Sequence, residues 1–132
     1  GYTGEDGYAH VPIDVLRQAM AAQDEEDLLW IREAFWGVPT GLVGPDGRGP
    51  VVIAGHTPSS LLFRYAANMC GTGCNKDGLG CMVEVGPTHD TGGVADHLAI
   101  DCSAAAGAGI GRVGVMRLDD RHVWYGDIAE GE

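Results

Sequence analysis

Positive charge is scarce in this chain. Eight Lys and Arg residues stand against 19 Asp and Glu, a formal net charge of −11. Such an acidic surface repels phosphate backbones and anionic bilayers, which excludes nucleic-acid and membrane-surface binding. Phosphate chemistry stays open, because bound metal ions supply local positive charge. Long hydrophobic runs are missing as well. No stretch approaches the roughly 18 apolar residues of a membrane span. No export signal is recognisable, so a cytoplasmic location is expected. The four cysteines, Cys70, Cys74, Cys81 and Cys102, are then better read as thiols or metal ligands than as disulfides. The first residue is Gly1 rather than Met, and a processed product or fragment is expected.

Glycine is abundant: 22 of 132 residues, with no collagen-like period. That share implies many tight turns and close backbone approaches. Hydrophobic residues at 45% and charged residues at 20% are near globular averages, and the length suits one domain over 1–132.

Pro12 precedes a helical pattern from Ile13 to Gln23, with Ile13, Leu16 and Met20 on one side. Asp24 offers the cap of a second helix, and Glu25, Glu26 and Asp27 suit its first turn. At about 100° per residue, Leu28, Leu29, Ile31, Phe35 and Trp36 share a broad face that ends at Gly37. A Gly/Pro loop leads to Val51–Ala54, a continuous apolar run that predicts a fully buried strand in a parallel or mixed sheet. A short helix is expected over Ser59–Asn68. A Cys/Gly-rich insertion follows, with a strand over Cys81–Val85. Three more strands are expected, His97–Asp101, Arg112–Leu118 and His122–Tyr125, with an Asp119-Asp120 turn between the last two. The fold class is α/β (α+β), without internal repeats.

Four motifs bear on chemistry. Gly55-His56-Thr57-Pro58 follows a strand directly, which is where open α/β sheets place their ligands. Neutral imidazole is a common transition-metal ligand; the plainer reading of His56 is a loop histidine bonded to backbone. Arg32 falls in the middle of the apolar helix face. A guanidinium buried there needs an anion, either a substrate phosphate gripped by two hydrogen bonds or a structural carboxylate, unless its head extends to solvent from the edge of the face. Cys70-x3-Cys74-x6-Cys81, with His89, His97 and Cys102 downstream, is a candidate structural zinc set, against simple buried or loop thiols. Gly109 to Gly114 fits G-x-G-x-x-G, but it opens an alternating, β-forming segment rather than a helix. We reject it as a dinucleotide fingerprint.

In combination, Asp27–Phe35 resembles the "LLWIRE-x-F" helix of calcineurin-like metallophosphoesterases of the phosphoprotein phosphatase group. Val51–Pro58 resembles their "vvxGHTP" strand and metal-binding loop. Ala99–Cys102 with Gly109–Leu118 resembles their closing "iDcGa…GGrLavlrLd" strands. The resemblance implies the C-terminal half of such an enzyme, a partial β-sandwich flanked by helices, with residues 66–96 as an insertion. It implies two divalent metals (Mn, Fe or Zn) that activate a hydroxide for hydrolysis of a phosphate monoester, phosphoprotein Ser/Thr or nucleotide. His56 then matches a metal ligand and Arg32 a substrate-phosphate group. Thr57 and Asp101 would support these from behind. The family's Gly-Asp-x-x-Asp and Gly-Asn-His motifs are not in the chain, and no Asp-x-His stands ahead of the Asp27–Phe35 segment, where the family has it. The chain alone is therefore expected to be inactive and to need a missing N-terminal half, or to form a homo-oligomer. The alternative is a non-catalytic binding or assembly domain with zinc in the Cys-rich insertion.

Overall fold

The computed structural model describes residues 12–131. Apart from Pro12, the expected N-terminal loop lies outside the described residues, as do the side chains of Leu16, Asp27 and Leu28. The fold is mixed α/β, with small sheets and few helices.

Helix α1 spans Ile13–Ala21 and begins where Val15 N–H donates to the Pro12 carbonyl at 3.0 Å. The expected helix from Asp24 to Trp36 is broken. A wide π-type turn covers Glu26–Trp30, Ile31 is extended (φ −64°, ψ 131°), and a one-turn helix α2 covers Glu33–Trp36. The apolar residues of that segment therefore do not form one continuous helical stripe. The break exposes helical carbonyls that need donors. Arg32 supplies them: its Nη1 donates to Leu29 O at 2.7 Å and to Ile31 O at 3.3 Å. Gly37 ends α2 as expected. A Cβ there would lie 2.8 Å from Glu33 O and 2.9 Å from Tyr65 O, so only glycine fits.

Strands β1 (Val52–Ala54), β2 (Val83–Val85) and β3 (His97–Ala99) form a mixed sheet of order β1-β3-β2. β1 runs parallel to β3, pairing Val52 with His97 and Ala54 with Ala99. β2 is antiparallel on the other side of β3. The fully buried strand is thus β3, not Val51–Ala54. β1 is an edge, and Ile53 is 41% exposed. A short 3₁₀ segment over Ser59–Arg64 replaces the longer helix expected there. The core gathers Trp36, Leu62, Val83, Val85 and Ala99, with Phe35, Ala54, Tyr65, Ala66 and Met69 packed against them.

β4 (Arg112–Met116) and β5 (Val123–Asp127) form an antiparallel hairpin. The glycine-rich run before β4 therefore leads into a strand, as the alternation predicts. Tyr125 fastens the hairpin to the body: its hydroxyl accepts Met82 N–H at 3.0 Å. The Arg112 guanidinium lies 3.9 Å from the Tyr125 ring centroid, a cation–π contact. Gly114 leaves room for Cys102 Sγ and Met82 Cε, which would sit 2.7 and 2.9 Å from a Cβ at that position.

Candidate functional site

The parallel strands β1 and β3 end side by side, and Ile100 N–H donates to Ala54 O at 3.0 Å just beyond them. After β1 the chain reverses sharply. Thr57 N–H donates to Gly55 O at 2.8 Å, across His56 at φ +65°. An i→i+2 bond with a positive central φ is the rare, strained form of γ-turn. A side chain in that conformation is costly for any residue but glycine. The turn leaves the His56 imidazole exposed, and its ring makes no hydrogen bond among the described residues. It meets Trp30 edge-on, with ring centroids 5.6 Å apart and planes at 83°.

His56 lines a cleft of about 620 Å³ together with Arg32 and Thr57. Three of the residues singled out by sequence, from two segments of the chain, thus share one cavity. Leu29, Ile31, Phe35, Trp36, Val52 and Ile53 form much of its apolar wall. Among the described residues no carboxylate pairs with Arg32. The Nη1 corner of its guanidinium is held by the two carbonyls. Among the described residues the Nε–Nη2 edge meets no acceptor, and such an edge can grip an oxyanion with two bonds.

A buried polar chain fixes the loop from below. Trp36 Nε1–H donates to Thr57 Oγ1 at 3.1 Å, and Thr57 is buried. Trp36 packs tilted against the His97 ring at 5.7 Å, and Phe35 meets it edge-on at 4.8 Å. His97 Nδ1 lies 2.7 Å from Asp96 Oδ1, and donates to it. The other carboxylate oxygen accepts Thr40 N–H at 2.7 Å and the Thr40 hydroxyl at 3.1 Å. Asp96 is 0% and His97 2% exposed. Sequence reasoning took His97 only as a downstream zinc candidate and passed over Asp96. The available signal was a charged pair set in the apolar run from Val94 to Ile100, since buried charge demands a partner.

Asp101 lies outside the cleft lining. Its Oδ1 accepts Ser103 N–H at 2.9 Å and its carbonyl accepts Ser59 N–H at 2.8 Å. It thereby ties the exit of β3 to the exit of the His56 turn. Ser103 is also left-handed (φ +64°) and buried, and its hydroxyl pairs with Ser60 Oγ at 2.8 Å.

None of the cysteines lines the cleft; Cys70 pairs with β2, Cys102 packs on Gly114 of the hairpin, and Gly73 beside Cys74 accepts the Ser59 hydroxyl at 3.0 Å. Cys70 N–H donates to Glu84 O at 2.9 Å, Cys74 bridges Gly80, and Cys81 N–H donates to Gly73 O at 3.0 Å. Burial raises the Cys70, Cys81 and Cys102 thiols above their ordinary value, which keeps them protonated and poorly nucleophilic at neutral pH. Among the described residues, no group of three or more His, Cys, Asp or Glu side chains is placed to hold a metal ion. Among the described residues that line the cleft, His56 is the single one of those types. It offers one ligand, which by itself makes no metal centre. No described helix is long and apolar enough to cross a membrane.

No protein-family model, curated protein or solved structure matches the chain.

Proposed function

We propose that the chain is the C-terminal part of a metal-dependent phosphoesterase acting on phosphate monoesters. The observation that supports it is the meeting of Arg32 and His56 in one cleft beside β1 and the turn at its carboxyl end. A free guanidinium edge suits the oxygens of a phosphate, and an exposed imidazole suits a metal. The two metals of such an enzyme would be Mn, Fe or Zn, and they would supply Lewis acidity and an activated water. His56 contributes one ligand. The others come from an upstream segment or a second chain, so no catalytic step is assigned to this chain alone.

In this reading the residues of the chain have plain tasks. Arg32 holds two phosphate oxygens and balances their charge. Thr57 and the Trp36 ring behind it keep the turn, and so His56, in place. Asp101 braces the same turn through Ser59. The apolar wall keeps water from the ester.

The test is hydrolysis of p-nitrophenyl phosphate and of a phosphoserine peptide by the product of the complete reading frame that contains this chain, with Mn²⁺ supplied. His56→Ala is expected to lower the rate by at least about 100-fold, the scale on which losing an electrostatic or metal-positioning contact acts. Unchanged activity in that variant, or no hydrolysis by the complete product, overturns the proposal. Among the described residues the cleft lining holds one ligand-type side chain, His56, which suits one rival, a non-catalytic binding domain. That rival predicts no hydrolysis under any metal.

A further inference from the structure

We infer that the cleft takes a small phosphate monoester carrying a flat aromatic group, in preference to a phosphorylated peptide. This rests on the phosphoesterase reading for the phosphate and adds the organic half of the ligand.

The cleft lining combines two kinds of side chain. The polar ones are Gln23, Arg32 and His56, with the buried Thr57. The apolar ones include Leu29, Ile31, Phe35, Trp36 and Val52. A volume of about 620 Å³ lies within the usual range for small-ligand pockets. A phosphoserine side chain is short and carries almost no apolar surface. With its phosphate on Arg32 it would leave the apolar wall facing water. A ring on the same phosphate would cover that wall and gain affinity from buried apolar and aromatic contact.

The charge of the molecule points the same way. A net charge of −11 opposes the approach of any anion. Without metal, Arg32 is the one permanent cation among the described residues of the cleft lining, and it offsets a single phosphate. The ligand that fits is a monoester whose ring supplies the remaining binding.

The probes are phenyl phosphate, adenosine monophosphate, O-phosphoserine and inorganic phosphate, titrated into the chain by calorimetry at low salt without added metal. At least one ring-bearing ester is expected to bind at least about tenfold more tightly than O-phosphoserine and inorganic phosphate, a factor one buried apolar group supplies. Preference for the nucleotide over phenyl phosphate assigns the ring to a base, and the reverse assigns it to a plain aryl group. Arg32→Gln is expected to weaken every probe by about tenfold or more. Ile31→Ala is expected to reduce the advantage of the ring while leaving inorganic phosphate unaffected. Equal affinity for the ring-bearing esters and O-phosphoserine overturns the inference and leaves the hydrolysis proposal to its own test. Binding that ignores Arg32, or no binding at all, also overturns it.

Discussion

His56 is held where a non-glycine residue is uncomfortable. Its φ of +65° sits in the middle of a turn whose ends are fixed by the Thr57–Gly55 bond and by the Trp36–Thr57 contact. Strain of this kind costs on the order of 1 kcal/mol and persists only when the surroundings impose it. Replacing His56 by glycine relieves that strain and removes the imidazole. His56→Gly is therefore expected to raise unfolding stability by about 1 kcal/mol in urea titration while losing function; a loss of stability would show that the ring is held by packing instead. Ser103 shares the left-handed conformation, but its buried hydroxyl is paired with Ser60. At this scale the sequence was informative. A histidine directly after a strand and an arginine amid apolar residues both led to the cleft. The Asp96–His97 pair was not legible as a unit, because adjacency says nothing about burial.

The elements were legible in kind and less so in extent. All the strands expected from apolar or alternating runs form, although most are shorter than the runs that announced them. The helix over Asp24–Trp36 failed because periodicity records only which residues are apolar. It does not record that the Arg32 side chain can replace helical N–H groups as donor to Leu29 O and Ile31 O. The apolar run Val51–Ala54 looked central and is an edge, because a buried strand and an apolar edge have the same composition. What pins these short elements together is the polar chain from Thr40 through Asp96 and His97. Asp96 joins the loop before β1 to β3, and His97 carries the packing on to α2. Asp96→Asn removes a buried, fully bonded carboxylate charge, and is expected to cost about 3 kcal/mol in urea or thermal unfolding. A change within about 0.5 kcal/mol would mean that the pair contributes little to holding α2 over the sheet.

As a whole the molecule is sparsely cored. Five buried residues form the central cluster, and one face of the hairpin turns Val113, Val115 and Trp124 outward, each at least half exposed. β1 keeps one edge without a strand among the described residues. Open edges and apolar faces of this kind are places where further chain packs. They accord with the proposal that the remaining metal ligands come from an upstream segment or a second chain, a feature no local pattern in the sequence reveals. The charge of −11 was legible at once, and it makes the free guanidinium edge of Arg32 the more telling.

If His56 is a ligand in the proposed phosphoesterase, its loss lowers the metal content, which native mass spectrometry reads out. The product of the complete reading frame, purified with Mn²⁺, is expected to carry about two divalent ions per site. The His56→Ala variant is expected to carry no more than about one. An equal metal load in the two proteins would contradict the account.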